Sequence, residues 1–178
     1  MTATIRLLLL SLILLPVAAY FLGTPPSPAQ LSILKDTLWY VLAVILYTFL
    51  VGQATGNNSQ VDKLWSIVPV FYVWYMTAAA GWLPRMILMS ALVTLWGIRL
   101  TYNFARRGAY TWKFWAGEED YRWEILRKKP VLNRPWIWFL FNLFFICIYQ
   151  NILIFLFTLP VLTAVGTTAD IGGWDYLL

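Results

Sequence analysis

Residues 136–160 read WIWFLFNLFFICIYQNILIFLFTLP, a run of 25 residues that contains no charged side chain. A helix needs about 20 predominantly apolar residues to cross the hydrocarbon core of a bilayer. The whole chain of 178 residues is 61% hydrophobic and 12% charged, whereas soluble domains carry about 25% charged residues. The sequence therefore predicts an all-α, multi-pass transmembrane helix bundle that forms one domain.

Four other apolar segments precede this run. Together with residues 136–160 they predict five spans, the first four lying near residues 7–23, 37–52, 64–82 and 86–104. The first segment is long for the h-region of a cleaved signal peptide, so we expect a retained helix. Polar residues fill the connection 105–135. The tail after Gly166 is expected to open a sixth helix.

Lys and Arg residues are unevenly divided between the two sides that five alternating spans define. The amino terminus and the loops 53–63 and 105–135 carry ten of them, whereas the other side carries two, Lys35 and Arg85. Because cytoplasmic loops are enriched in Lys and Arg, we expect the amino terminus and both loops to be cytoplasmic. The membrane is expected to be a bacterial inner membrane or an endoplasmic reticulum membrane.

Two residue types are scarce enough to exclude whole classes of site. The chain contains no His, which excludes His-ligated haem and Ser–His or Cys–His dyads. Its one Cys, Cys147, permits neither an intramolecular disulfide nor a thiolate metal cluster, so no metal site is expected. The net charge of +5 borders apolar segments, which favours membrane lipids or an anionic ligand over nucleic acid as the partner.

The end of the fourth predicted span carries a polar helix face. Arg99, Tyr102, Asn103 and Arg106 are spaced i, i+3, i+4 and i+7, and Arg107 follows them. Guanidinium groups on one helix face can hold a phosphate or pyrophosphate, and we expect Arg99 to face the protein interior. For Arg106 and Arg107, contact with anionic lipid headgroups is the alternative.

A second polar group surrounds the start of the third predicted span. Asp62, Trp65 and Ser66 share a helix face, and Gln53 lies upstream of them. A carboxylate at a helix start is stabilised by unpaired amides and by the helix dipole, so capping is the simpler interpretation of Asp62. The functional alternative is that Asp62 pairs with Arg99 or positions a ligand hydroxyl.

The long polar loop contains GEEDYRWEILRKK at residues 117–129, in which acids precede bases as the helix dipole favours. The i, i+4 pairs Glu118–Arg122 and Glu124–Lys128 would support a helix here. We expect this segment to lie on the membrane surface as a short interfacial helix, and a ligand site is the alternative.

The fifth predicted span carries several polar side chains, among them Asn142, Tyr149 and Gln150. Asn142 and Tyr149 are seven residues apart and therefore share a helix face. Hydrogen bonds between helices account for such residues adequately. A contact with substrate is the alternative interpretation.

Three segments, taken in order and spacing, resemble multi-pass membrane proteins related to steroid 5-alpha-reductases. They are VDKLWS at 61–66, WGIRLTYNFARR at 96–107 and GEEDYRW at 117–123. The resemblance covers roughly residues 53–160. It implies an all-helical membrane reductase fold. In that superfamily NADPH enters from the cytoplasmic side and gives hydride to an electron-poor double bond of a steroid or other lipid-like small molecule.

The resemblance and the polar faces together give the predicted site. Arg99 fits the arginine that follows the family's fourth-helix motif, whereas the family's catalytic Tyr falls near Leu95 or Trp96 and its second-helix Glu has no Glu counterpart. Tyr102 and Asp62 are therefore assigned to catalysis by position. Cofactor binding is assigned to Arg99, Asn103, Arg106 and Arg107, and substrate contact to Gln53, Trp65, Asn142 and Gln150.

The end of the chain departs from the family pattern. Family members continue through a segment with Arg-His-Pro and Asn-Tyr that forms much of the cofactor site, whereas this chain contains no His. We expect a fragment, a truncated product or a divergent short member with an incomplete NADPH site. The alternative function is a non-catalytic bundle acting in lipid binding or assembly. A transporter ranks third, because Arg99 is the one ionisable residue well inside a predicted span.

Overall fold

A computed structural model describes residues 6–7, 9–167 and 171–173. Every regular element among these residues is helical, which confirms the predicted all-α class. The last four elements in the list that follows lie end to end in one long helical segment, Pro135–Thr163, which is called the C-terminal rod. In chain order the elements are a π-helical segment Leu10–Leu14, α1 (Leu15–Leu22), α2 (Pro28–Thr55), α3 (Gln60–Leu64), α4 (Val68–Ala79), α5 (Pro84–Ala105), α6 (Tyr121–Arg127), α7 (Pro135–Phe141), a π-helical segment Asn142–Tyr149, α8 (Gln150–Leu156) and α9 (Leu159–Thr163).

Three helices among the described residues are long and apolar enough to cross a membrane. They are α2 with 28 residues, α5 with 22 and the C-terminal rod with 29. At a rise of about 1.5 Å per residue, even α5 is about 33 Å long, which matches a hydrocarbon core of about 30 Å. Length and composition thus support a membrane protein. The sidedness derived from Lys and Arg stays a prediction.

Helix α2 begins earlier than the predicted span 37–52. Ser27 and Gln30 form a capping box, in which Ser27 Oγ accepts from the Gln30 amide at 3.2 Å and Gln30 Oε1 accepts from the Ser27 amide at 2.7 Å. Pro28 occupies the first helical position, where a missing amide proton is harmless. Because the helix runs on to Thr55, no local thinning of the bilayer is needed to accommodate it.

The predicted span 64–82 is not one continuous helix. It divides into the end of α3, a turn at 65–67 and α4, which has only 12 residues. Pro69 explains the break, because proline lacks an amide proton and its ring clashes with the carbonyl four residues earlier, at Trp65. The turn leaves Trp65 and Ser66 at the end of α3, where they line a cavity described below.

Two predicted elements fall partly outside the described residues. The predicted first span, 7–23, is helical from Leu10 to Leu22, and residue 8 is not described. The predicted opening of a sixth helix after Gly166 includes 168–170 and 174–178, which also lie outside the described residues.

Close packing of α5 against α4 and the turn at 65–67 fixes the orientation of α5. A side-chain carbon added at Gly97 would lie 2.7 Å from both the Ser66 carbonyl oxygen and Val70 Cγ2, so only glycine fits there. One turn further on, the hydroxyls of Ser66 and Thr101 are 2.7 Å apart. These contacts decide which side of α5 faces the bundle.

The connection between α5 and α6 folds onto α3 through a buried lysine. Lys63 is fully buried, and its Nζ donates to the Phe114 carbonyl at 3.0 Å and also to the Ala116 carbonyl. The Gln60 amide donates to the Trp115 carbonyl at 2.9 Å. Three successive carbonyls of the loop are therefore held by side chains of α3, and the loop is part of the fold.

Replacing Lys63 with methionine tests this docking. Lys63→Met preserves much of the side-chain volume but leaves the Phe114 and Ala116 carbonyls without their donor. Leaving buried polar groups unpaired costs about 1–3 kcal/mol. We expect a loss of that size in unfolding free energy, measured by denaturation in detergent micelles.

The matched control is Lys128→Met, since Lys128 forms an exposed ion pair with Glu124 at 2.6 Å. Exposed pairs of this kind contribute up to about 0.5 kcal/mol. Equal losses in the two variants would contradict the docking.

Candidate functional site

A polar chamber of about 570 Å³ opens where the end of α5 meets α3 and the start of α6. Three guanidinium groups against two carboxylates leave the lining with a net charge of +1, which suits an anionic ligand. The lining residues are Asp62, Trp65, Ser66, Leu100, Asn103, Phe104, Arg106, Arg107, Asp120, Arg122 and Gln150.

The face of α5 that lines the polar chamber is rotated by one residue from the predicted face. Leu100, Asn103, Phe104 and Arg107 follow the spacing i, i+3, i+4, i+7 and all line the chamber. The prediction that Arg99 faces an interior cavity is wrong, because its side chain is exposed and outside the chamber. The physical reason is the close approach at Gly97, which turns position 99 away from the bundle.

Tyr102 is also turned away from the polar chamber. Its side chain is 63% exposed, and its ring lies under the Arg106 guanidinium, 5.4 Å from the ring centroid. Arg106 Nη2 also donates to Asn103 Oδ1 at 3.1 Å. The structure therefore does not bring Tyr102 to the chamber, and its assignment to catalysis stays a prediction, whereas Asn103, Arg106 and Arg107 do come together.

Asp62 is the most buried ionisable group that lines the chamber. Its side chain is 8% exposed. Its Oδ2 accepts from Trp123 Nε1 at 2.7 Å, and its Oδ1 accepts from Arg122 Nη2 at 3.3 Å. Burial raises the pKa of Asp62, and the hydrogen bonds from Trp123 and Ser59 offset part of that rise. Ser59 is the N-cap of α3 and Asp62 lies in its first turn, as the prediction of a carboxylate at a helix start requires. The alternative of a pair with Arg99 needs correction, because the ion-pair partner of Asp62 is Arg122.

Arg122 joins Asp62 to a second carboxylate. Its Nε and Nη2 donate to Asp120 Oδ1 and Oδ2 at 2.7 and 3.0 Å, and the Asp120 side chain also caps the first turn of α6. Burial alone would raise the pKa of Asp120, but the hydrogen bonds from Arg122 lower it below its ordinary value. The predicted pair Glu118–Arg122 is thus replaced by Asp120–Arg122, whereas the predicted pair Glu124–Lys128 is confirmed.

An apolar groove of about 440 Å³ adjoins the polar chamber. Trp65 lines both cavities, and its Nε1 donates to Gln150 Oε1 at 3.1 Å. This bond leaves the NH₂ group of Gln150 as a donor at the junction of the two cavities. The residues that line the groove are Trp65, Leu92, Val93, Trp96 and Phe157.

Two residues assigned to substrate contact line neither cavity. Gln53 is exposed near the end of α2. Asn142 is buried inside the bundle, where its Oδ1 lies 3.6 Å from Cys147 Sγ. The structure therefore separates both residues from the chamber and the groove, because Gln53 precedes the turn that leads into α3 and Asn142 lies two turns before Gln150. Interhelical hydrogen bonding is seen nearby, where Asn151 Nδ2 donates to Thr48 Oγ1 at 3.2 Å.

The start of α6 contributes to the site, which sequence analysis gives only as the alternative to an interfacial helix. Asp120 and Arg122 close the chamber, and Glu119 Oε1 accepts from the Asn58 amide at 2.7 Å and from Arg127 at 2.8 Å. No local pattern assigns Asp120 or Arg122 to the site, since their partners lie some 60 residues away in sequence. The resemblance of GEEDYRW to a family motif is the signal that points to them.

Comparisons with known proteins give one family match and one relative of unknown role. Residues 48–177 match the family described as "Protein of unknown function (DUF1295)". An uncharacterized protein of Schizosaccharomyces pombe is 35% identical over 146 residues, which are 75% of this chain and 40% of that protein. The chain thus spans well under half the length of this relative. No solved structure matches the chain.

Asp62 and Asp120 are expected to affect stability with opposite signs. The folded-state pKa of Asp62 is raised, so its ionised form destabilises the fold at neutral pH, and this penalty decreases as pH falls from the folded-state pKa to the unfolded-state pKa of about 3.9. The folded-state pKa of Asp120 is lowered, so its contribution is present above the unfolded pKa of about 3.9 and is lost as pH falls below it.

At neutral pH we therefore expect Asp62→Asn to unfold at the same temperature as the native chain or higher. Asp120→Asn should lose about 0.5–1 kcal/mol. Thermal unfolding in detergent measures both. A loss in Asp62→Asn as large as that in Asp120→Asn would contradict the assignment of a destabilising buried carboxylate.

Proposed function

The chain belongs to the DUF1295 family, and we propose that it is a membrane oxidoreductase relative that reduces a double bond in a steroid- or lipid-like substrate with NADPH. The observation that carries this proposal is the position of Trp65, which lines both the polar chamber and the apolar groove. The site thereby offers cationic groups for phosphates next to an apolar surface for a lipid-like molecule.

The chemistry of the chamber fits the phosphates of NADPH. Arg106, Arg107 and Arg122 supply guanidinium groups, and Asn103 supplies an amide. Guanidinium groups bind phosphate oxygens through paired, charge-assisted hydrogen bonds. Arg106 and Arg107 form no ion pair with a carboxylate among the described residues, so both remain available to a ligand. We assign the cofactor phosphates to these three arginines.

NADPH, when bound, supplies the hydride. Asp62 is the residue we assign to the accompanying proton. Burial raises the pKa of Asp62, which is the direction that a carboxylic acid needs in order to donate a proton near neutral pH. Trp123 holds one oxygen of Asp62 at 2.7 Å and so fixes the carboxyl group at the chamber wall.

Trp65 and Gln150 are the residues we assign to substrate orientation. The hydrogen bond between them fixes the Gln150 amide, whose remaining donors can bind a polar group of the substrate. The apolar part of the substrate would then lie along Trp96 and Phe157, whose rings meet edge to face at 5.9 Å. These rings offer an apolar contact beside the polar chamber.

Binding of NADPH tests the proposal, with a control on the same helix. In lipid nanodiscs, the double variant Arg106→Ala/Arg107→Ala should bind NADPH more than about tenfold more weakly, a loss of about 1.4 kcal/mol. Titration calorimetry measures the affinity. Arg99→Ala removes an exposed arginine outside the chamber and should stay within about twofold of the native chain. Equal weakening in both variants would contradict the chamber as the cofactor site.

The second candidate function is a non-catalytic bundle that binds anionic lipid. It is favoured by the exposure of Arg106 and Arg107, which can also reach lipid headgroups. In that case the double variant would lose affinity for vesicles containing phosphatidylglycerol, this affinity would fall with salt, and the native chain would not bind NADPH. Absence of NADPH binding by the folded native chain is the result that would reject the oxidoreductase proposal.

A further inference from the structure

We infer that Arg122 is shared between Asp62 and an anion bound in the polar chamber, so that anion binding is coupled to the uptake of a proton by Asp62. This inference rests on the proposed function, because it takes the polar chamber to be the phosphate site. It adds a regulatory property to that site: the proton needed for reduction would be loaded when the cofactor binds.

The geometry of Arg122 suits such an exchange. Its two bonds to Asp120 are short and bidentate, at 2.7 and 3.0 Å, whereas its bond to Asp62 is 3.3 Å long. A guanidinium group has five N–H donors, and the Arg122 side chain is 56% exposed. Arg122 can therefore keep Asp120 as its anchor while its outer nitrogens turn toward a ligand.

Asp62 is the carboxylate that responds to this exchange. It is 8% exposed, and Arg122 is its ion-pair partner among the described residues. Asp120 keeps its bidentate bonds to Arg122 and a hydrogen bond from the Arg122 amide at 2.9 Å. Loss of the Arg122 bond would leave Asp62 as a nearly buried carboxylate without an ion-pair partner among the described residues, held by hydrogen bonds from Trp123 and Ser59.

The charged groups around Asp62 are consistent with proton uptake by Asp62 when an anion binds. From the start of α6 it faces Arg122 and Asp120, and Arg106 and Arg107 of α5 also line the chamber. On its own helix, the neighbouring ammonium of Lys63 is directed to the carbonyls of the loop instead. The C-terminal rod contributes the neutral Gln150.

An incoming anion would engage the arginines and place negative charge beside Asp62. Both effects favour the neutral form of Asp62. The proton comes from bulk water and goes to Asp62 Oδ1, while Oδ2 keeps its bond from Trp123. By linkage, an anion that drives proton uptake binds more tightly as pH falls.

Calorimetry in nanodiscs measures the coupling, with two probes. The first is sulfate, whose charge stays constant over the range from about pH 8 to about pH 5.5. The second is NADPH, titrated at one pH in two buffers with different ionisation enthalpies, which gives the number of protons taken up. For the native chain we expect sulfate affinity to rise as pH falls and NADPH binding to take up a proton.

Two variants separate the coupling from other effects of pH. Asp62→Asn keeps an acceptor for Trp123 but cannot ionise, so its sulfate affinity should no longer depend on pH. At neutral pH it should bind sulfate about two- to fivefold more tightly, since Arg122 is released from an ion pair of about 0.4–1 kcal/mol. Glu124→Gln removes an exposed carboxylate paired with Lys128 and should behave like the native chain.

The outcomes distinguish this inference from the proposed function. If NADPH binds without proton uptake, or Asp62→Asn keeps the native pH dependence, the coupling is overturned and the oxidoreductase proposal stands. If sulfate binding shows the coupling but NADPH does not bind, the coupling is supported and the cofactor assignment fails. If neither probe binds to the folded chain, both are overturned.

Discussion

The structure depends on the docking of one loop onto a five-residue helix. Buried Lys63 of α3 holds the carbonyls of Phe114 and Ala116, and Asp62 of the same helix accepts hydrogen bonds from Trp123 and Arg122. A buried ammonium is costly unless its hydrogen bonds are satisfied, so the loop and α3 stabilise each other. Without this docking, Asp120 and Arg122 would not close the polar chamber, and no anionic ligand would meet the groove beside Trp65.

The same docking explains why the chamber can combine opposite charges. Arg122 lies between two carboxylates whose pKa values are shifted in opposite directions, Asp62 upward by burial and Asp120 downward by hydrogen bonds. Two titratable groups whose environments separate their pKa values are typical of sites that move protons. The arginines of α5 add positive charge without carboxylate partners among the described residues. The chamber therefore suits an anion and a proton together, and an oxidoreductase with a phosphate-bearing cofactor needs both.

Much of the fold could be predicted from hydropathy, and part of the site from helix periodicity. The apolar runs predict α2, α5 and the C-terminal rod. Hydropathy alone does not give the start of α2 or the division of the span 64–82, which follow from the capping box at Ser27 and from Pro69. Each residue turns a helix by about 100°, so a prediction that is wrong by one position places Arg99 and Tyr102 on the chamber face. The structure has Leu100 and Phe104 there, beside the correctly predicted Asn103, Arg106 and Arg107. The orientation of α5 follows from a contact between Gly97 and Ser66, which no local pattern reveals.

The contacts that close the chamber join residues 57–63 to residues 114–123, and such pairings cannot be derived from one sequence. Hydrogen–deuterium exchange of the peptide covering 118–123 tests them most directly. The Asp120 amide donates to Ser59 Oγ at 2.8 Å and the Glu118 amide donates to the Gly108 carbonyl at 3.2 Å. Docking predicts slow exchange there that becomes slower with NADPH. Exchange at the rate of an unstructured peptide, unchanged by NADPH, would contradict the account.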